Sequence, residues 1–162
     1  MTVPQDDKPI DPREEETPIS AFYPADNAAV IAHLNYLQAI ITRLAGNSAQ
    51  CKTWCLAIVS ALFGFANATQ NDKIVAVAVI PIVIFYLVDA AYLGREKDYR
   101  QLYNSVSGRI RAGTYARPDC FNLNRPDDGG HYLEALKSWS VWPIYLGLVA
   151  GYGLTRVAGL LK

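Results

Sequence analysis

Apolar residues recur at alternating steps of four and three between residues 30 and 65, which is the heptad pattern of a helix that buries one narrow face. The seam is apolar at both ends and small or polar in its middle. Its members are Val30, Leu34, Leu37, Ile41, Leu44, Ser48, Cys51, Cys55, Ile58, Leu62 and Phe65. The pattern predicts one helix over residues 26 to 66 that self-associates around an axis. Because Gly46, Asn47 and Ser48 lower helix propensity, a break or hinge there is the alternative.

Three apolar blocks are candidates for crossing a bilayer, which takes about 20 helical residues. They cover residues 51 to 68, 74 to 93 and 139 to 161. Pro81 should kink the second block, because proline removes one amide and frees a carbonyl one turn earlier. Glycines and Arg156 weaken the third block, so a re-entrant or interfacial position is the alternative to a span.

The pattern as a whole predicts an all-α integral membrane protein that forms a homo-oligomer. A long N-terminal helix continues into a transmembrane hairpin, and a cytoplasmic helical region leads to a third, C-terminal transmembrane helix. The predicted segments are a disordered acidic leader (1–25), a cytoplasmic amphipathic helix (26–50), the hairpin (51–93), a cytoplasmic helical and loop region (94–138) and the third helix (139–162).

Charge is balanced over the 162 residues but unevenly placed. The first 20 residues carry six acidic and two basic side chains, so the remainder is basic. Arg43 and Lys52 precede the first apolar block, and Arg95, Lys97 and Arg100 follow the second, which places both ends of the hairpin in the cytoplasm. The start is acidic and rich in proline, so we expect no cleavable signal and a cytoplasmic N-terminus.

Asp89 is an acidic residue inside the second apolar block. A carboxylate at membrane depth is costly and marks a candidate functional site. Counting residues from the outer turn places it near the cytoplasmic boundary, at the depth of Lys52. The two open interpretations are an interface charge pair of Lys52 with Asp89, and a role of Asp89 in ion passage or gating.

Neither a nucleophile with a base nor a phosphate-cradling glycine loop is found, so we expect no enzymatic activity. Three cysteines and two histidines lack the spacing of a metal site, and we expect no cofactor. Arginines interleaved with aromatics form a candidate ligand site, since guanidinium groups neutralise phosphates and rings stack on bases. The alternative is arginines attracted to anionic lipid, beside core aromatics. The site residues are Arg109, Arg111, Arg117 and Tyr115.

Several motifs resemble a family of small bacterial membrane effectors of anti-phage defence, the SLATT-type effectors, and most of all the membrane effectors of two-component Hailong systems. The motifs that carry this resemblance are Arg43 with Asn47 and Ser48, Lys52 with Trp54, Asp89 with Tyr92 and Leu93, and Trp142 with Pro143 and Tyr145. The resemblance implies a channel in the bacterial inner membrane and a nucleotidyltransferase partner whose oligonucleotide product holds that channel closed.

The sequence and the resemblance together predict an oligomeric ion channel of abortive infection, gated through its cytoplasmic region. A tetramer is the first guess, membrane lipid is an expected partner and duplex DNA is not. The predicted path is lined or closed by Ser48, Cys51, Cys55, Ile58, Leu62 and Phe65, of which the last three form an apolar constriction. The alternative is a membrane-anchored scaffold or binding module without an ion pathway.

Overall fold

The computed structural model describes residues 27–69, 71–124 and 130–157. These residues form α1 (Ala28–Thr69), α2 (Asp72–Val77), α3 (Val79–Arg111), a 3₁₀ turn (Arg117–Asp119), α4 (Gly130–Leu136) and α5 (Trp142–Val157). The described ranges contain helices and no strand, which confirms the predicted all-α class. The acidic leader predicted over residues 1–25 lies outside the described residues.

Helix α1 runs without interruption for 42 residues, so the alternative of a break at Gly46, Asn47 and Ser48 is wrong. At 1.5 Å per residue the helix is roughly 60 Å long. The side chain of Asn27 caps it by accepting a 2.8 Å hydrogen bond from the amide of Ala29. Packing of one face against the rest of the chain offsets the weak propensity in the middle, as in most protein helices.

The second apolar block is interrupted at Ala78, where α2 ends and α3 begins. Pro81 explains the interruption, because it has no amide to donate to the carbonyl of Val77 and its ring crowds that carbonyl. The amide of Ala78 bonds to the carbonyl of Val75 at 3.0 Å. The kink predicted near Pro81 is therefore present, as a break between two helices.

Helix α3 lies antiparallel to α1, and two apolar clusters hold the pair together. The open-end cluster joins the start of α1 to the end of α3 and consists of Val30, Leu37, Val106 and Tyr115. The turn-side cluster lies nearer the hairpin turn and consists of Cys55, Val59, Ile82, Ala90, Ala135, Val141 and Tyr145. Helix α3 continues past Gly94 to Arg111, so the end of the second apolar block and the start of the predicted helical and loop region belong to one helix.

The buried stripe of α1 follows the predicted seam as far as Cys55 and then departs from it. Beyond Cys55 the buried residues are Val59 and Ala66, whereas Ile58 and Phe65 are 38% and 59% exposed. A straight α-helix has 3.6 residues per turn, so a strict heptad drifts by about 20° per repeat. Along α1 the buried positions Leu44, Cys55 and Ala66 recur every 11 residues, which matches a straight helix better.

Helix α4 approaches the backbone of α3 closely at Gly94. A Cβ atom at Gly94 would lie 3.1 Å from the Cα atom and 3.2 Å from the backbone nitrogen of Tyr132. Beside this contact, Nδ1 of His131 lies 2.6 Å from Oδ1 of Asp98. Glycine at position 94 therefore lets α4 dock on α3.

Two helices in the described part of the chain, α1 and the Lys73–Arg111 stretch, are long and apolar enough to cross a membrane. Only 22% and 28% of their most apolar windows are buried. The core helix of a soluble protein is mostly buried, so this exposure supports a membrane protein. Helix α5 has 16 described residues, fewer than a span usually needs, and the third span stays a prediction.

Candidate functional site: a buried charged cluster between three helices

Asp89 of α3 is completely buried, and its two carboxylate oxygens accept hydrogen bonds from three side chains. The ammonium of Lys52 lies 2.7 Å from Oδ2 and 2.9 Å from Oδ1. The hydroxyl of Ser48 donates to Oδ1 at 2.5 Å. The hydroxyl of Tyr145 donates to Oδ2 at 3.2 Å. These four side chains form the charged cluster, and they join α1, α3 and α5.

The positions of these side chains follow from helix geometry. Ser48 and Lys52 are four residues apart on α1, so they lie on one face, and Lys52 also donates to the Ser48 hydroxyl at 2.9 Å. Asp89 lies on the α3 face that packs against α1. Tyr145 lies in the first turn of α5, and its hydroxyl is also 3.3 Å from the carbonyl oxygen of Phe85, so the two acceptors share its one proton. One carboxylate therefore sets the relative position of three helices.

The charged cluster is electrically compensated, which decides what it can do. An isolated buried charge is expensive, whereas a buried pair with further hydrogen bonds is tolerated. The ammonium of Lys52 neutralises Asp89, and both carboxylate oxygens are occupied. The arrangement therefore suits a structural fastener whose opening needs water or a competing charge to replace Lys52.

The predicted path residues divide into two groups in the structure. Ser48, Cys51 and Cys55 are buried within one protomer, on the face of α1 that packs against α3. Ile58 and Phe65 are exposed on another face, and Leu62 is half-buried. The first group is thus covered inside the chain, and the role of all six residues in a channel stays a prediction.

The opposite face of α1 carries small and polar residues that the sequence analysis did not group as one surface. All of them are exposed, and a Cβ atom added at Gly46 or Gly64 would meet nothing within 4 Å. This outer face consists of Gly46, Gln50, Thr53, Ala57, Ser60, Gly64 and Asn67. Its members recur at steps of four and three, so the same heptad search would have found it had it followed small and polar residues rather than apolar ones.

The candidate ligand residues lie at the far end of α3 from the hairpin turn. Arg109 is half exposed and its guanidinium lies 2.5 Å from the carboxylate of Asp119. Arg111 and Arg117 are exposed at the end of α3 and in the 3₁₀ turn. Tyr115 is completely buried, so its ring is not available to stack on a base. The structure thus places the three arginines near one end of the molecule and removes the aromatic partner.

An apolar groove lies beside the charged cluster, and no candidate metal site is found among the described residues. An open apolar groove of about 290 Å³ runs between α3 and α5, lined in part by Tyr86, Trp142 and Leu146. Among the described residues, no group of three or more His, Cys, Asp or Glu side chains could hold a metal ion. The charged cluster remains the most highly connected polar site in the described residues.

Comparisons with protein-family models, with curated proteins and with solved structures gave no match. The resemblance to SLATT-type effectors therefore stays a prediction based on the motifs of this chain.

Proposed function

We propose that this protein is an oligomeric ion channel of a bacterial cytoplasmic membrane, an effector of anti-phage defence that is gated through its cytoplasmic helices. The observation that carries the proposal is the exposed outer face of α1, which places Thr53, Ser60 and Asn67 on the surface of a helix apolar enough to span. The resemblance to SLATT-type effectors supplies the role in defence.

Polar side chains on a membrane helix favour contact with protein or water over contact with lipid. By contrast, the exposed face of α3 carries Ile80, Ile84 and Leu87, which are the residue types expected on a lipid-facing surface. Grouping several copies around an axis with the outer faces of α1 inward removes Thr53 and Ser60 from lipid. Small residues between them permit close approach of the helices or leave room for water.

This arrangement changes the predicted path. The lining is the outer face, while Ser48, Cys51 and Cys55 remain behind it in contact with α3. Ile58 and Phe65 flank the outer face and supply the apolar constriction, which conducts only when it is wetted. The charged cluster then holds the wall of the channel together and does not line it.

Control from the cytoplasm is supported by the length of the helices. Helix α1 continues unbroken from the outer face to the open-end cluster, and α3 returns to Arg109 and Arg111. A rigid helix pair transmits a displacement at one end to the other. An oligonucleotide made by a partner nucleotidyltransferase, as the resemblance implies, would act at the exposed arginines of this end, and four chains remain the first guess for the oligomer.

The test is conduction by Ser60→Cys in planar bilayers, before and after a charged water-soluble thiol reagent. We expect the reagent to block most of the current, because position 60 faces the water-filled path. Ile84→Cys is the matched control, since Ile84 is exposed on the opposite, lipid-facing surface and should give no block. Cys51 and Cys55 are buried, so the wild-type chain supplies the background.

In cells, expression without the inhibitory partner should collapse the membrane potential measured with a potential-sensitive dye. Conduction that is equally blocked at positions 60 and 84, or no conduction at all, would contradict a path along the outer face.

A membrane-anchored scaffold without an ion pathway is the second candidate. It is favoured by one observation, the burial of the polar seam residues Ser48, Cys51 and Cys55 inside a single chain. In that case the outer face packs dry against a partner helix. Cross-linking of Ser60→Cys between copies together with silent bilayers would select the scaffold.

A further inference from the structure

The segment from Thr114 to Leu123 folds back over the first turns of α1, far from the charged cluster. Tyr115 is completely buried in the open-end cluster. Its hydroxyl lies 2.7 Å from Nδ1 of His33 on α1. Phe121 covers the same side chain, with its ring centre 6.1 Å from that of His33 and 5.9 Å from that of Tyr36. We call residues 114–123 the strap.

His33 is completely buried beneath the strap, and only one of its two ring nitrogens has a hydrogen-bond partner. Within the described part of the chain, Nε2 is a buried polar atom without a hydrogen bond of normal geometry, although the Asn122 backbone lies near enough to act on the ring. A neutral imidazole has one donor and one acceptor, so one of them lacks a well-formed hydrogen bond here. A protonated ring would bury a charge as well, which costs much more.

The strap also holds its backbone in an unfavourable conformation. Phe121 has a φ angle of +57°, in the left-handed region that residues with a side chain seldom adopt. Such a conformation persists only where surrounding contacts compensate for its cost. Phe121 makes ring contacts with His33 and Tyr36, so its backbone strain favours release once His33 stops holding it.

The electrostatic surroundings of His33 favour its neutral form. Burial lowers the pKa of His33 below the usual 6.5, and it outweighs the opposing influence of the Asn122 backbone and the Asp119 carboxylate. Asp119 is itself engaged with Arg109 of α3. Among the described residues, the titratable or charged groups that pack around this region include Asp119, Tyr115 and Cys120 of the strap, Tyr36 of α1, and Tyr99, Tyr103 and Arg109 of α3.

We propose that His33 is a proton-operated latch, which holds the strap on α1 while the imidazole is neutral and releases it when the cytoplasmic side becomes acidic. The neutral ring accepts or donates one hydrogen bond with Tyr115 and packs against Phe121. The imidazolium needs water around it, and it gains water only if the strap lifts. Opening uncovers the apolar residues Val30 and Leu37 at the start of α1.

The direction of the pH effect follows from linkage. A histidine whose pKa is lowered in the closed form binds fewer protons there than in the open form. The stability of the closed strap is therefore fully present above about pH 6.5, and it falls as the pH drops from there to the lowered pKa of the closed form. Below that value no further loss comes from His33.

The latch is tested by hydrogen exchange of the full chain in lipid nanodiscs, corrected for the intrinsic pH dependence of exchange. The probes are the hydrogen-bonded strap amides of Thr114, Asp119, Cys120 and Asn122. We expect their protection to fall between about pH 7.5 and pH 5, since the open form binds the proton of His33 more readily than the closed form does. The amides of α1 around Ser48 should keep their protection.

Two variants isolate His33. His33→Phe keeps an aromatic ring that cannot be protonated, and His33→Gln keeps a polar partner for Tyr115 without a titratable group. Both should hold the strap at all pH values tested. The matched control is His131→Gln, which removes the other histidine of the chain and should retain the pH-dependent loss. In this variant His33 is the one remaining histidine, so its titration can be followed directly by nuclear magnetic resonance.

The outcomes decide the proposal independently of conduction. Loss of strap protection at low pH in wild type and His131→Gln, but not in the His33 variants, supports the latch. Equal loss in His33→Phe or His33→Gln would assign the effect to Asp119 or other carboxylates and overturn it. Unchanged protection in the wild-type chain at pH 5, or titration of His33 above pH 6.5, would overturn it as well.

Discussion

The α1–α3 pair buries two polar side chains completely, one near its middle and one at its open end, but the two have different surroundings. Near the middle, Asp89 receives hydrogen bonds from Ser48, Lys52 and Tyr145, and both of its oxygens are occupied. At the open end, His33 has one partner, Tyr115, and a second ring nitrogen without one. Asp89 joins three long helices, whereas His33 holds one short strap. Complete burial of the side chain therefore does not by itself show whether the contacts of Asp89 or those of His33 are the more permanent.

The difference lies in what replaces each contact when it opens. Opening the charged cluster separates a buried ion pair and leaves each charge without its partner, which is unfavourable. Lifting the strap moves His33 and its unsatisfied nitrogen into water, which becomes favourable once the ring is protonated. The charged cluster therefore keeps its geometry, whereas we expect the open end to change.

The largest expected effect is that of Lys52→Met, which leaves Asp89 buried without its cation. Breaking a buried pair by removing one partner costs about 3–5 kcal/mol. We expect a large drop in the thermal unfolding midpoint in detergent, measured by the helical circular dichroism signal. We also expect loss of contact between α5 and α3. The matched control is the double variant Lys52→Met with Asp89→Leu, which removes both charges and should regain most of the loss. A double variant as unstable as Lys52→Met would contradict the assignment of the cost to an unpaired charge.

Much of the region around the charged cluster follows from the sequence, because its signals are periodic. The apolar spacing predicts the buried face of α1 as far as Cys55, and counting from the hairpin turn places Lys52 and Asp89 at one depth. Beyond Cys55 the prediction departs from the structure, since a heptad register was carried along a straight helix. The outer face of α1 was missed because the search followed apolar residues.

The open end could not be predicted in the same way. His33 lies off the heptad seam, and its burial depends on Tyr115, a residue 82 positions later. The strap has no periodicity, so no local signal brings Tyr115 or Phe121 onto α1. Complete burial of a histidine is a property of tertiary contacts, which a single sequence does not show.

Gly94→Ala is expected to have an intermediate effect, at the point where α4 packs on α3 between the two ends. The added Cβ atom would lie 3.1 Å from backbone atoms of Tyr132, which cannot move as a side chain can. Overpacking of this kind costs about 1–3 kcal/mol, measured as a lower unfolding midpoint and faster amide exchange in α4. Gly108→Ala is the control on the same helix, where nothing lies within 4 Å, and it should stabilise α3 by about 0.5–1 kcal/mol. Equal effects of both variants would show that helix propensity, and not the close approach, decides the outcome.

The smallest expected effects come from removing one tyrosine hydroxyl at each of the two buried polar sites, which compares them most directly. Tyr145→Phe leaves Asp89 with Ser48 and Lys52, so we expect a loss of about 0.5–1.5 kcal/mol. Tyr115→Phe leaves the imidazole of His33 without its side-chain partner in a buried position, so we expect a larger loss of about 1–3 kcal/mol. The readout is exchange of the strap amides for Tyr115→Phe and of the α5 amides for Tyr145→Phe, each against the wild-type chain. If the Tyr145 hydroxyl proves as costly to remove as that of Tyr115, the two buried polar groups are equally well satisfied, and the contrast between a fixed end and a releasable end is lost.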